Sequence, residues 1–468
     1  MVVGDFAEDL ETVVIGAGPG GYVAAIHAAE LGQKVTVIER EFIGGVCLNI
    51  GCIPSKALIE AAHHYQNALG TADMGITTKD AQIDFGKTQE WKNSVVNKLT
   101  SGVSGLFKKH HIDVLWGEAF LKDDHSLRVI GKDDSAQTYN FKNLIVASGS
   151  HPIEIPNFKF EGRVVDSTGA LALKEVPKEL IVIGGGYIGS ELASAYADFG
   201  SHVTILEGMD SILANYESDM VKVVQKNMTD HNVDIYTSAM AQKAEQDDNS
   251  VTVTAKINGE TKEIKADYCI VSVGRKPNTA EMGLEQAKVE TDDRGLIKVD
   301  NQGRTNVSHI FAIGDVVAGA ALAHKASYEG KVAAEAISGK SSVVDYRAMP
   351  AVCYTAEQIA TTGLTLAEAK DQGLDVKKAQ FPFAANGRAI SMNATKGFIR
   401  LVFTKDDEQI VGAQIVGANA ADLITELTLA IESGATLDDV ALTIHPHPSL
   451  AEGVMDAADV GLGFPTNI

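Results

Sequence analysis

Cysteine is scarce, with 4 among 468 residues. In a chain this long that does not make a disulfide framework, so a close pair points to metal or redox chemistry instead. Positive charge is also in deficit: 40 Lys and Arg stand against 62 Asp and Glu, a formal net charge of −22. Phosphate backbones and anionic headgroups are repelled by such a chain, which argues against nucleic acid and membrane surfaces as partners. The charge suits solubility, or a basic protein partner. Proline is sparse at 11 residues and low-complexity tracts are absent, as is any continuous apolar run of membrane-spanning length. The opening MVVGDFAEDLE has neither the basic and apolar stretches of a secretory leader nor the Arg-rich, acid-poor pattern of an organellar one. The cytoplasm is the expected location. The length exceeds what one core serves, and about three or four domains are expected.

Glycine is where the information lies. In ETVVIGAGPGGYVAAIHAAELGQKVTVIER an apolar strand (Thr12 to Ile15) runs into Gly16, Gly18 and Gly21, then an Ala-rich helix, then a strand ending at Glu39. The first glycine permits a tight turn, the second lets backbone approach a pyrophosphate, and the third allows close helix–strand packing. The helix start offers free N–H groups and a positive dipole end to phosphates, and Glu39 stands where a ribose hydroxyl would donate. LIVIGGGYIGSELASAYADFGSHVTILEG repeats the plan with Gly184, Gly186, Gly189 and Glu207, the acid falling 23 residues after the first glycine in both copies. One such fingerprint is weak evidence. Two at matched spacing predict two bound dinucleotides.

NLIVASGSHP and YCIVSVGRKP each read as an apolar strand followed by Gly-x-x-Pro, at Gly149/Pro152 and Gly274/Pro277. They are crossing points, so the second nucleotide unit reads as a domain inserted into the first. TNVSHIFAIGDV sets Gly314 and Asp315 at a strand end, where FAD-binding Rossmann proteins place the Asp that holds the ribityl chain. The outer unit is therefore assigned to FAD and the inserted one to a nicotinamide nucleotide. Glu207 favours NAD, because a carboxylate accepts from a 2′-OH and repels a 2′-phosphate. The expected layout is α/β: an FAD-binding domain at 1–150, an NAD-binding domain at 151–272, a central FAD-binding continuation at 273–345 and an α+β interface domain at 346–468.

GGVCLNIGCIPSKAL holds Cys47 and Cys52, separated by four residues in a short loop that Gly44, Gly45 and Gly51 leave free to bend, with Pro54-Ser55-Lys56 following at the start of an Ala/Leu-rich helix. A bent backbone brings such a pair within disulfide reach, and a helix start or the cation of Lys56 lowers a thiol's pKa. Zinc fits poorly: its sites need four ligands, and only His63 and His64 lie near. No metal is expected. Cys269 and Cys353, in apolar strand-like runs, read as packing residues. TIHPHPSLAEGVMDA places Glu452 five residues after His447, a spacing that lets a carboxylate orient an imidazole for use as a base. His445 reads as a supporting residue.

The segment GGVCLNIGCIPSK resembles the active-site stretch of the two-dinucleotide flavoprotein disulfide reductases, and the likeness runs from Val13 to Glu452. It implies that Cys47 exchanges with substrate sulfur and that Cys52 is the flavin-side thiolate. It also implies that Lys56 pairs with Glu191 beside the flavin, that Tyr187 moves aside for nicotinamide, and that His447 with Glu452 serves the other subunit's disulfide in a homodimer. His324 and Lys325 in LAHKASYEG lie near the flavin ring on this reading, and Gly274 and Arg275 at the nucleotide and flavin side. Departures are ASGS at 147–150 for the commoner ATGS, Ser449 for the commoner Thr, and Ser327-Tyr328 where acids often stand. Within the family, mercuric reductases carry a further carboxy-terminal cysteine pair, glutathione and trypanothione reductases use NADP, and soluble transhydrogenases lack the first cysteine. What remains is the Gram-positive bacterial branch that oxidises dihydrolipoyl groups with NAD⁺, with tightly bound FAD, one per subunit. Its substrate is carried by the lipoyl-bearing acyltransferase of a 2-oxoacid dehydrogenase complex. The alternative is an NADH-dependent reductase of another small disulfide, such as coenzyme A disulfide.

Overall fold

The computed structural model of the chain describes residues 7–70, 74–78 and 81–468. The MVVGDF start, on which the expectation about targeting was based, lies outside the described residues. The chain divides into two compact units, one of Met1–Ala57, Lys87–Ile153 and Gly274–Asp345, the other of Leu58–Gly86, Glu154–Val273 and Tyr346–Ile468.

In the first unit, strand Glu8–Ile15 lies between Val35–Glu39 and Ala136–Val146, all parallel, with Asp113–Trp116 beyond Val35–Glu39. Ile310–Ala312 pairs in parallel with the end of Ala136–Val146, whose beginning joins the antiparallel strands Ser126–Ile130 and Glu118–Leu121. A parallel sheet covered on both faces calls for apolar runs rather than alternation, and every residue of Val35–Glu39 is buried. One covering layer is made of helices Pro19–Glu30 and Ala323–Ile337. Small residues let their backbones approach. A Cβ on Gly330 would fall 2.6 Å from the Gly20 carbonyl oxygen, so any side chain there would force the helices apart.

The second unit has a five-stranded parallel sheet in the order Val233–Tyr236, His202–Leu206, Glu179–Ile183, Tyr268–Val271, Val164–Val165. Beside it is an antiparallel meander, Met240–Gln246, Val251–Ile257 and Glu260–Ala266. The carboxy-terminal part adds an antiparallel sheet ordered Ala351–Cys353, Gln358–Gly363, Ile410–Gly417, Phe398–Thr404, Val376–Pro382, with helices Ala420–Ser433 and Glu452–Leu462 packed on it. This mixed α/β architecture with two parallel sheets and a carboxy-terminal α+β part is the class expected. Arg400, only 1% exposed, ties strand Phe398–Thr404 to helix Ser218–Asp230 through Glu217 at 2.6 Å and Asp219.

One stretch, Gly45–Leu69, is long and apolar enough on average to cross a membrane, which the reading for continuous apolar runs did not pick out. It is not one helix. Gly51, at φ −139° and ψ −113°, separates Gly45–Ile50 from Cys52–Leu69.

Candidate active site

The two glycine loops show what each glycine is for. A Cβ on Gly16 would lie 2.4 Å from the Ala147 carbonyl oxygen, and one on Gly21 only 1.9 Å from that of Gly16. In the second copy the same clashes are 2.3 Å at Gly184, with Ser272, and 2.0 Å at Gly189, with Gly184. Protein backbone alone demands those four. The middle glycines differ: Gly18 meets nothing nearer than Gly45 Cα at 4.0 Å, and Gly186 nothing within 4 Å. Each middle glycine caps a twelve-residue helix, Pro19–Glu30 or Tyr187–Asp198, with no side chain capping its first N–H groups. Open space beside uncapped N–H groups is what a pyrophosphate requires, so both loops fit a dinucleotide.

The strand-end acids do more than spacing suggested. Glu39 accepts the Ala17 N–H at 2.7 Å on one oxygen, and the Glu41 and Phe42 N–H groups at 2.7 and 3.1 Å on the other. Glu207 accepts from Gly185 at 2.5 Å and Met209 at 2.6 Å. Both carboxylates thus brace their own glycine loops. With about four lone-pair sites each, they keep acceptor capacity for a ribose hydroxyl.

Asp315 sits in the turn Gly314–Val316 that follows strand Ile310–Ala312. Its carboxylate accepts the Ser150 hydroxyl at 2.5 Å, and Ser150 neighbours Gly149 at φ 71°. Arg275 stands across the short hairpin Ser150–Pro152/Arg275–Pro277, directing its guanidinium to Ser150. The turn is held from beneath by Glu329, which accepts the Gly314 N–H at 2.8 Å, and by Lys325, 2.7 Å from Glu329. Ser150, Lys325 and Glu329 were not legible as turn supports, because only the fold brings them to residue 315. His324 is exposed in the first turn of helix Ala323–Ile337.

Cys47 is not in a loop as the glycines suggested. It lies in the helix Gly45–Ile50, begun by Gly44 at φ 91° and braced by Asn49 Nδ2, which donates to the Ile43 and Gly45 carbonyls at 3.0 and 2.8 Å. Cys52 opens the next helix, two residues before the start that Pro54 suggested, since proline is tolerated in a first turn. The break at Gly51 turns the two thiols together. A hydrogen bond to Cys52 and burial push the Cys47 thiol well up, against the opposing cation of Lys56. Cys269 and Cys353 are both fully buried, and burial pushes the Cys269 thiol up. Among the described residues no cluster of three or more His, Cys, Asp or Glu is placed to hold a metal ion.

In the second unit, Tyr187 begins the helix after Gly186 and is 38% exposed. Glu191, one turn on, is buried and accepts the Tyr354 N–H at 2.9 Å. Lys56 belongs to the first unit and Glu191 to the second. Glu452 holds His447 Nδ1 at 2.8 Å, which turns Nε2 outward on an imidazole 81% exposed. The Ser449 N–H and then His447 draw the Glu452 carboxyl below the usual carboxylate range. His445 Nε2 meets Glu426 at 2.9 Å and its Nδ1 meets the Thr443 carbonyl at 2.7 Å, a supporting position.

Residues 10–330 match the pyridine nucleotide-disulphide oxidoreductases, and residues 349–458 match the dimerisation domain of the same group. The chain belongs to the pyridine nucleotide-disulphide oxidoreductase family. It is 57% identical to dihydrolipoyl dehydrogenase of Bacillus subtilis over 100% of both chains. Against dihydrolipoyl dehydrogenase of Geobacillus stearothermophilus the identity is 58%, over 100% of this chain and 99% of that one. Among solved structures it is similar to the Cu(II) complex of the HOCl-induced flavoprotein disulfide reductase RclA from Escherichia coli. That likeness has a TM-score of 0.87 and 29% identity, over 97% of this chain and 99% of the other. The chain is an oxidoreductase of the dihydrolipoyl dehydrogenase branch, and the family's chemistry calls for flavin and a pyridine nucleotide. The dimerisation match supports a homodimer, and Leu429, Leu442 and Ile444, at 68%, 80% and 95% exposure, lie on that domain.

Proposed function

We propose that the chain oxidises dihydrolipoyl groups with NAD⁺, yielding a lipoyl group, NADH and a proton. The observation that carries this is the Cys47–Cys52 thiol pair, joined by a hydrogen bond across the Gly51 break, in a chain matched along its whole length to dihydrolipoyl dehydrogenases. Residues of the first unit, Gly16, Gly18, Gly21, Glu39, Lys56, Gly149, Asp315 and His324, would hold FAD, tightly and one per subunit. Gly184, Gly186, Gly189 and Glu207, with Tyr187, Glu191, Gly274 and Arg275, would hold NAD and the flavin's nicotinamide side. The bound flavin would supply the two-electron bridge between a thiolate and the nicotinamide.

The protein's own part is proton and sulfur chemistry. His447, oriented by Glu452 and reaching the partner subunit's site, takes a proton from the substrate dithiol. The substrate thiolate attacks Cys47 of the Cys47–Cys52 disulfide, and Cys52 leaves as thiolate. The second substrate thiol, deprotonated in turn, attacks the mixed disulfide and releases Cys47. Two electrons have then moved from substrate to the cysteine pair, ready for transfer onward to NAD⁺. The two thiols lying within hydrogen-bond reach across Gly51, with the Lys56 cation acting on Cys47, support exchange at this pair. The substrate would arrive on the acyltransferase of a 2-oxoacid dehydrogenase complex in the cytoplasm, with domains divided at 150, 272 and 345.

A steady-state assay with free dihydrolipoamide tests the reading, comparing NAD⁺ with NADP⁺ and, in reverse, lipoamide with coenzyme A disulfide. NAD⁺-linked dihydrolipoamide oxidation that is lost in Cys47→Ser, with FAD retained, is expected. Preference for coenzyme A disulfide, or an intact rate in Cys47→Ser, overturns it.

A further inference from the structure

We infer that Ser150 and Arg275 are positioning residues that preset the Asp315 carboxylate for flavin binding. Through them, FAD retention is tied to the hairpin where the chain departs for residues 154–273 and returns. The inference rests on the reading of Asp315 as the residue that takes a ribityl hydroxyl.

Three groups form a chain with one possible polarity. A guanidinium donates only, and an ionised carboxylate accepts only. The serine hydroxyl between them has one proton and must serve both. Arg275 Nε donates to Ser150 Oγ at 2.8 Å, and Ser150 Oγ donates to Asp315 Oδ2 at 2.5 Å. With its acceptor side taken by arginine, the serine proton has nowhere to point but the aspartate. Oδ2 is thereby committed to protein, and Oδ1 stays available to accept from a polyol hydroxyl. Ser150 is 5% exposed, so water does not compete for its hydroxyl.

The relay is anchored at both ends. Arg275 Nη2 also donates to the Ser150 carbonyl at 2.5 Å, fixing the guanidinium to the strand it crosses. The hairpin pairs Arg275 with Pro152 and Pro277 with Ser150. It is closed further by the Asn278 N–H on the Gly149 carbonyl at 2.8 Å, and by reciprocal Ser148–Asn278 bonds of 2.8 Å. From below, Glu329 holds the Gly314 N–H. The outgoing strand carries the serine and the returning strand the arginine, so Asp315 is fully braced only when the two strands are paired.

The test measures FAD release from purified holoenzyme after dilution and ultrafiltration, for Ser150→Ala, Arg275→Met, Arg275→Lys and Asp315→Asn, with the Tm of each stripped protein as a folding control. Loss of one charge-assisted hydrogen bond corresponds to release faster by on the order of tenfold. We expect that change in Ser150→Ala and in Arg275→Met, no further change when the two are combined, and partial recovery in Arg275→Lys. Arg275→Met should add nothing in an Asp315→Asn background. A role in general stability would lower the Tm of stripped protein and stay additive with Asp315→Asn, overturning the relay. Wild-type release from Ser150→Ala and Arg275→Met, with fast release from Asp315→Asn, overturns the relay alone. Wild-type release from Asp315→Asn overturns the ribityl reading beneath it.

Discussion

Glu452 divides its carboxylate between two partners, with Oε1 at 2.8 Å from His447 Nδ1 and Oε2 accepting the Ser449 N–H at 2.7 Å. The backbone bond fixes the carboxylate, and the fixed carboxylate sets the imidazole's tautomer and direction. Since the Ser449 N–H, and then His447, draw the Glu452 carboxyl below the ordinary range, the anion persists throughout neutral pH. Glu452→Gln should cut kcat for dihydrolipoamide by about tenfold to a hundredfold with little change in KM. His447→Gln should cost about 10²–10⁴. Stopped-flow and steady-state rates at constant FAD content check both.

Glu207 should set the nucleotide preference. Exchanging it for Arg removes the acceptor for a 2′-OH and supplies a cation for a 2′-phosphate. It also frees the Gly185 and Met209 N–H groups, so some loss with both nucleotides is expected. The kcat/KM ratio of NADP⁺ to NAD⁺ should rise by about a hundredfold, corresponding to roughly 2.7 kcal/mol. An unchanged ratio would remove Glu207 from the nucleotide site.

The Lys325–Glu329 pair is 2.7 Å long, with side chains 1% and 9% exposed. Removing one charge strands the other away from water. Glu329→Gln alone should destabilise by about 3–5 kcal/mol, read as a fall in Tm. The double variant Lys325→Met/Glu329→Gln keeps an acceptor for the Gly314 N–H and removes the stranded cation, so it should recover most of the loss. Equal losses in single and double variants would mean that the charge pairing is irrelevant.

Glu335 carries an acid-sensitive contribution. Its carboxyl is drawn down to about 2, first by the Ser342 hydroxyl and then by His27 and Lys340. A folded pKa below the ordinary value of 4.5 stabilises the protein fully above that value, and the contribution is lost as pH falls from there through about 2. The Tm difference between wild type and Glu335→Gln should be constant above pH 5 or so and shrink to nothing near the lower value. A difference that grows on acidification would contradict the sign.

The nucleotide-binding halves were legible because each glycine fingerprint is a local device. Strand, turn and helix start lie within a few residues, so spacing carries the geometry. The redox pair was legible as a pair, but not in its conformation. Gly44 and Gly51 signalled a flexible loop, whereas they bound a short helix that Asn49 stabilises. The supports of Asp315 were not legible as such: Arg275 was read as a residue of the nucleotide and flavin side, not as a partner of Ser150, and ordinary polar residues such as Ser150 and Glu329 carry no mark of a partner that only tertiary folding supplies. The carboxylates of Glu39 and Glu207 were read for one duty, a ribose hydroxyl, and their bracing of the loops was missed, since backbone N–H groups leave no trace in composition.

The unequal crowding around the three glycines of each loop separates two properties that usually fail together. Alanine at Gly21 or Gly189 would collide with its own chain at 1.9 or 2.0 Å and jeopardise the polypeptide itself. Alanine at Gly18 or Gly186 would be accommodated by the polypeptide and felt only by whatever docks there. A methyl group placed at those middle positions would therefore yield a well-formed protein selectively blind to one dinucleotide, with each loop addressable independently of its twin.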